Sequence, residues 1–385
     1  MKRMLAIFLA AVLFLDVVCA GVLFFTSAPS DEESGGEDFF TKASVVAVGS
    51  NLIQNELLIQ AKDRSNTGGY DFSMVYENLK PLVSQADVAI VTQPGVISSG
   101  HTVSGELRYN APPELGDELV KTGFDVINIA TDHILDYGEE GLINTVEYWK
   151  EKPDVTAVGV YENSQDASAL TMTQVNGIKF AYVSFTQGTG GNSLPENSEA
   201  VVSLAASETE LGEKISFAKR KADVVIVCAN WGSEFDTEVT DDMREFAAKL
   251  AEWGADVIIG THPSNVLEAE YIQVKDRAPA FVVYSLGNVV SCSTQPNALL
   301  SGILTFDVVK NKEERTVSVE NFGISGSVLH YGMNMSKIRL YPLDEYTGEL
   351  ASLHGINDSF DGFGVRYLNN ILTDTYDKKL IGRGK

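Results

Sequence analysis

Cysteine is scarce in this chain: Cys19, Cys228 and Cys292 are the three among 385 residues. That is too few for a disulfide framework or a cysteine-built zinc site. At most Cys228 and Cys292 could pair, and two buried free thiols is the plainer reading. Positive charge is short as well. Lys and Arg number 29 against 53 Asp and Glu, a formal net charge of −24. So acidic a chain is repelled by phosphate backbones, and no nucleic-acid partner is expected. Anionic lipid repels it too, unless something anchors it. The chain has no internal repeat and no Gly-rich phosphate fingerprint. With 44% hydrophobic and 21% charged residues, whole-chain disorder, collagen and a stapled miniprotein are excluded. The length allows one large α/β domain, or two or three smaller ones, with a sizeable core.

Long apolar runs are confined to the N-terminus. Lys2 and Arg3 precede a run from Met4 to Phe25 broken only by Asp16, and an acidic, small-residue stretch follows. About 20 apolar residues span a bilayer as a helix. Basic residues before it and acidic residues after it place the N-terminus inside and the rest of the chain outside. Residues 1–25 are therefore expected to be an uncleaved signal anchor, residues 26–42 a polar acidic tether, and residues 43–385 the folded domain. A cleaved signal peptide ending at Val18-Cys19-Ala20 is one alternative. A lipoprotein acylated at Cys19 is another. All three export the domain, and the anchor makes the protein a single-pass membrane protein with its C-terminal domain extracytoplasmic.

Beyond the tether, short β-rich runs alternate with amphipathic helical patterns. Strands are predicted at 44–49, 87–91, 125–129, 156–160, 178–185, 223–229, 256–259 and 280–285. Their continuous apolar character suits strands covered on both faces. Helices are predicted at 72–84, 113–122, 138–150, 208–221 and 241–253. This alternation predicts an α/β fold with a parallel or mixed sheet. After Asn288 the pattern turns antiparallel, with strands at 302–309, 316–324 and 338–342 and a last helix at 362–373.

Polar residues cluster just after the strands: Gly49-Ser50-Asn51, Thr92-Gln93-Pro94, Ala130-Thr131-Asp132-His133, Asn230-Trp231-Gly232, Gly260-Thr261-His262 and Ser285-Leu286-Gly287-Asn288. Open α/β sheets bind ligands at the carboxyl ends of their strands. Six such loops can converge on one site.

Four of these segments resemble the bacterial CapA-type capsule-synthesis proteins involved in making poly-γ-glutamate. Gly123-Phe-Asp-Val-Ile-Asn-Ile-Ala-Thr-Asp-His-Ile-Leu-Asp-Tyr-Gly138 is similar to that family's "aGFDvvnlANNHalDyG". Ala229-Asn-Trp-Gly-Ser-Glu234 resembles "HWGxE", Trp253-Gly-Ala-Asp-Val-Ile-Ile-Gly-Thr-His-Pro263 resembles "aGADvViGhHPH", and Tyr284-Ser-Leu-Gly-Asn288 resembles "YSLGNF". The resemblance covers roughly residues 44–290, with 296–385 completing the domain. It implies a calcineurin-like metallophosphatase fold, two sheets packed between helices. In such enzymes Asp, Asn, Glu and His at the strand ends hold two metal ions, which lower the pKa of a bound water and stabilise an in-line displacement.

The chain departs from that pattern at the site itself. Ser50 stands where the family has Asp. Thr92-Gln93-Pro94 replaces Asn-Leu-Glu, Thr131-Asp132-His133 replaces Asn-Asn-His, Asn230 replaces His, and Ser264 replaces the last His. The strong donors left at matched positions are Asp132, His133 and His262. Neutral Ser, Thr and Asn oxygens are weak ligands, so a full dinuclear centre is not expected. The resemblance implies a catalytic role for His133 and Asp132, and metal ligation, if any, by Asp132 and His262 with a single Mn, Zn, Fe or Mg ion. Ser50, Asn51, Thr92, Gln93, Asn230, Trp231, Glu234, Ser264 and Asn288 are expected around the pocket, with Trp231 and Asn288 in its wall. Asp136 is expected to cap the helix beginning near Gly138. His101, His330 and His354 match no motif.

The resulting expectation is a binding or assembly subunit in the synthesis or export of capsule or poly-γ-glutamate, with capsule polymer and polymer-synthase subunits as partners. The alternative is a metal-dependent or metal-independent hydrolase, phosphoesterase-like, acting on an envelope substrate through Asp132, His133 and His262.

Overall fold

The computed structural model describes residues 39–382. The expected anchor and most of the expected tether lie outside the described residues. Among the described residues no helix is long and apolar enough to cross a membrane. The end of the expected tether is already folded. The first strand runs Phe40–Asn51, because Thr41, Lys42 and Ala43 ladder onto Lys310, Val309 and Val308.

Two mixed sheets carry the fold. The eight-stranded sheet is ordered Ser336–Pro342, Val317–Gly332, Leu300–Asn311, Phe40–Asn51, Val88–Thr92, Val126–Asn128 and Thr156–Val158, with Asn288–Val290 also paired to the first strand. From Phe40–Asn51 to Thr156–Val158 it is parallel, and its C-terminal half is antiparallel. The six-stranded sheet is ordered Val266–Ile272, Ala280–Leu286, Val257–Thr261, Val224–Asn230, Ile178–Thr186 and Thr171–Val175. Its inner four strands are parallel and its two edges antiparallel. Those edges escape the sequence reading. Partly buried and mixed in polarity, they lack the continuous apolar run that marks a covered strand.

Period-two alternation explains how the six-stranded sheet is buried on both faces. Val224, Ile226 and Cys228 point into the core shared with the eight-stranded sheet. Val225, Val227 and Ala229 point the other way, into a second core that takes Leu211 and Ile215 from helix Glu208–Lys221 and Ala247 and Leu250 from helix Asp241–Trp253. Across the shared core Phe281 stacks on Phe322 of the opposite sheet at 4.0 Å. Cys228 and Cys292 are buried free thiols, their pKa values pushed up to about 12 by burial.

One predicted helix breaks. In place of a single element at 72–84 there are two turns, Ser73–Tyr76 and Lys80–Val83. Pro81 has no N–H to give to the carbonyl of Glu77, and its ring would clash there.

The parallel strands of both sheets deliver their carboxyl ends to one rim. At its centre the first strand and Asn288–Val290 cross closely, with Ser50 N donating to Gly287 O at 3.0 Å. A Cβ on Gly49 would lie 2.0 Å from that same oxygen. Only glycine permits the approach.

Candidate functional site

Along the eight-stranded side of the rim, the strand-end side chains bond to one another. Tyr76 OH donates to Asn51 Oδ1 at 2.7 Å, and Asn51 Nδ2 donates to Gln93 Oε1 at 2.8 Å. Gln93 Nε2 donates to Pro94 O at 2.8 Å. One strand further on, Asn128 Nδ2 donates to Thr92 Oγ1 at 3.0 Å. Asn128 Oδ1 accepts from Ser184 Oγ, a bond that crosses to the six-stranded sheet. On that sheet Thr186 Oγ1 donates to Asn230 Oδ1 at 2.8 Å, and from the eight-stranded sheet Asn288 Nδ2 donates to Ser264 Oγ at 3.1 Å. All of these side chains are buried, and none carries a charge. Burial raises the Tyr76 phenol far above its ordinary range, so it stays a neutral donor.

Beside this neutral row lies a charged corner. Asp132 Oδ2 sits 3.2 Å from His133 Nε2 and 3.5 Å from His262 Nε2. His133 Nδ1 lies 3.0 Å from Asp136 Oδ2, which also accepts from Tyr109 N at 2.7 Å. The Tyr109 ring lies against His133, centroids 4.5 Å apart. Burial works against charge on His133. The Asp136 hydrogen bond and the charges of Asp132, Asp136 and Glu234 outweigh it, and its pKa is raised. Burial likewise opposes ionisation of Asp132, but the His262 hydrogen bond and the His133 charge hold its pKa below the ordinary value. The pair thus shifts toward a protonated His133 and an ionised Asp132. Tyr109 is pushed up by burial, then by the surrounding carboxylates, Glu234 foremost.

Most of the expected residues meet at this rim, and two expectations are corrected. Asp136 makes no cap for helix Gly138–Lys150, whose N-cap residue Tyr137 has no side-chain cap bond. Asp136 is buried instead, and it orients His133. Trp231 joins neither the neutral row nor the Asp132 corner, and instead lines a separate cleft with Gly232, Ser233 and Asp236. It is buried in the core under the helices, with Nε1 donating to Tyr284 O at 2.8 Å and its ring stacked on Tyr284. Glu234 is exposed. Its backbone O accepts from Ser264 N at 2.5 Å, and its carboxylate acts on His133 through charge. The histidines without a motif are bound elsewhere: His101 to Ser98, His330 to Tyr346, and His354 to Leu329 and Ile356.

Residues missed from sequence are Asn128, Ser184, Tyr109 and, as a positioning group, Asp136. Asn128 was legible as the polar interruption in Val126-Ile127-Asn128-Ile129. The spacing of Asp136 three residues after His133 was a second signal. Nothing local marks Tyr109, which a hairpin of Ser104–Glu106 and Arg108–Asn110 brings in.

Three buried polar atoms at the rim have no partner: Ser50 Oγ, Thr131 Oγ1 and His262 Nδ1. His262 also adopts φ = 97°. A non-glycine residue there is strained by roughly 1–3 kcal/mol, and such strain concentrates at functional sites. Unsatisfied buried groups and backbone strain thus coincide at the rim.

A polar rim at the carboxyl ends of two facing sheets defines an α/β protein with its polar strand ends gathered where open α/β sheets carry their ligand sites. Residues 44–293 match the family described as bacterial capsule synthesis protein PGA_cap. The chain belongs to that family. It is 34% identical over 208 residues to the PGA biosynthesis protein CapA of Bacillus subtilis (strain 168), covering 54% of this chain and 53% of that protein. It is 31% identical over 188 residues to the capsule biosynthesis protein CapA of Bacillus anthracis, covering 48% and 44%. The chain thus spans about half the length of the curated relatives it matches. Among solved structures, the NAD nucleotidase of Haemophilus influenzae aligns with a TM-score of 0.46 at 14% identity, over 87% of this chain and 60% of that one. A putative 5'-nucleotidase from Staphylococcus aureus aligns with a TM-score of 0.42 at 15% identity, over 78% and 54%.

Proposed function

We propose that this protein is a membrane-anchored, extracytoplasmic subunit of capsule or poly-γ-glutamate biosynthesis or export. Its strand-end rim binds polymer or assembles with synthase subunits and performs no two-metal catalysis. The observation that carries this reading is the neutral row: Asn51 is bonded to Gln93 and Asn128 to Thr92, and their remaining capacity goes to Tyr76, Pro94 O and Ser184.

A metal pair does not fit the residues present. It requires several anionic ligands bridging and flanking the ions. Here Ser50 and Pro94 stand where carboxylates are needed, and Asn230 and Ser264 where imidazoles are. The carboxylate of Asp132 already lies between two imidazoles. Among the described residues no group of three His, Cys, Asp or Glu side chains could hold a metal ion. Asp132, Asp136 and Glu234 beside His133 offset whatever charge its ring carries, so a polyanionic ligand would be met here by hydrogen bonds and not by net positive charge.

The test is the metal content of the full-length protein in detergent, after incubation with Mn, Zn, Fe and Mg and desalting. Less than one retained equivalent is the expected result. Close to two equivalents would overturn the reading. A second reading is favoured by His133 itself: a hydrolase in which the protonated imidazole donates to a leaving group. It requires phosphoesterase or amide-bond activity on an envelope substrate that disappears in His133→Ala.

A further inference from the structure

We propose that a pocket beside the rim is a second ligand site, built for a neutral sugar ring. It lies where the Phe235 loop, the turn Pro296–Leu299 and the C-terminal helix Val365–Thr375 meet. Its volume is about 460 Å³, within the ~300–1,000 Å³ typical of small-molecule pockets. Phe235, Phe360 and Tyr367 give it ring surfaces, and Asn265, Gln295 and Asn297 give it side-chain amides. Phe360 and Tyr367 stand 5.2 Å apart at 58°, so their faces form a corner and not a single wall. Phe235 is half exposed although it lies next to polar loops.

The chemistry of the lining selects the ligand. None of its eight residues is charged, in a chain of net charge −24. No lysine or arginine is present in the lining to offset the desolvation of a bound carboxylate, and no carboxylate is present to hold a cation. A pyranose has what this surface complements: C–H faces that lie on aromatic rings, and hydroxyls that both donate to and accept from amides.

A separate observation points to a missing partner. Asn265 is 8% exposed. Its Nδ2 donates to Phe235 O and Asp236 O at 3.2 and 3.1 Å, holding the aromatic loop in place. Its Oδ1 has no partner. A buried amide oxygen left unpaired costs about 1–3 kcal/mol; this one is closed to solvent, so a ligand hydroxyl would satisfy it only after a small movement of the Asn265 side chain. On the opposite side of the pocket Tyr367 OH donates to Asn297 Oδ1, fixing that amide's orientation. The site is distinct from the Asp132 corner but joined to it, since Asn265 follows Ser264 and Phe235 follows Glu234.

The test is saturation-transfer NMR on the full-length protein with three neutral probes: cellotriose, maltotriose and tri-N-acetylchitotriose. At least one should receive saturation. Phe235→Ala should weaken that binding at least tenfold, and Asn297→Ala several-fold. Because Phe235 is half exposed, its variant should keep the fold, which circular dichroism checks. No transfer to any of the three probes would overturn the proposal, as would transfer undiminished by Phe235→Ala. Binding of tri-γ-glutamate that depends on Phe235 would overturn it as well, giving the pocket to the acidic polymer.

Discussion

Along one side of the rim Tyr76, Asn51, Gln93, Thr92 and Asn128 are neutral, fully covered and bonded to one another. On the other side Asp132, His133 and His262 are ionisable and keep 23%, 27% and 21% of their side chains open to solvent. The difference follows from desolvation. An amide or hydroxyl can be buried at little net cost once each polar atom has a partner. A charge cannot, unless counter-charges and hydrogen bonds surround it, so the charged groups remain at the solvent edge with Asp136 behind them. The neutral row is thus satisfied within the fold, whereas the corner holds the rim's ionisable groups, whose charge changes with pH.

Asn51→Ala should break the neutral side most severely. It strands the Tyr76 hydroxyl and the Gln93 Oε1, two buried groups with no water to replace the lost amide. At about 1–3 kcal/mol for each, the variant should lose roughly 2–6 kcal/mol, read as a lower urea midpoint. An unchanged midpoint would mean the row is not a unit.

Acid should act next, through a different pair of histidines. Burial lowers His330 and His354 to about 4, from an ordinary 6.5. In the unfolded chain they take up protons as pH falls through 6.5, while the folded chain does so only near 4. Their stabilisation is therefore complete above pH 6.5 and lost as pH falls through about 4, on the order of 3 kcal/mol for His354. Denaturation midpoints at pH 4 and 7 measure this, and His354→Gln should flatten the slope.

The smallest effect should come from the corner and should have the opposite sign. His133 has a raised pKa, so its contribution is complete below its unfolded pKa near 6.5 and is lost as pH rises through its higher folded value. Asp132→Asn removes one of the charges that raise it. An NMR titration of the His133 ring should then show its pKa moving down while global stability changes by less than about 1 kcal/mol. A His133 pKa unmoved in that variant would separate the two residues and sharpen the corner to His133 and Asp136 alone.

Legibility tracked how local each cause is. The covered strands were readable because burial on two faces demands unbroken apolar runs, as in Val224–Asn230 and Ala280–Leu286. The rim was readable because polar residues end those runs. The edges Thr171–Val175 and Val266–Ile272 were not, since a half-covered strand needs no such run. Asp136 was misread as a cap because its position before helix Gly138–Lys150 suits that role equally well. Trp231 was misread because its motif placed it at the rim, whereas the alternation of the strand turns it to the helix side.

By itself, the sequence determined the α/β order, the family and the replacement of charged donors by Ser50, Pro94, Asn230 and Ser264, all properties of residue type and chain order. Only the tertiary structure decided which polar groups satisfy one another and which stay unpaired. Hydrogen bonds such as Ser184 to Asn128 and Tyr76 to Asn51 join residues distant in the chain. Their partners are chosen by how the two sheets pack, and no local pattern records that choice.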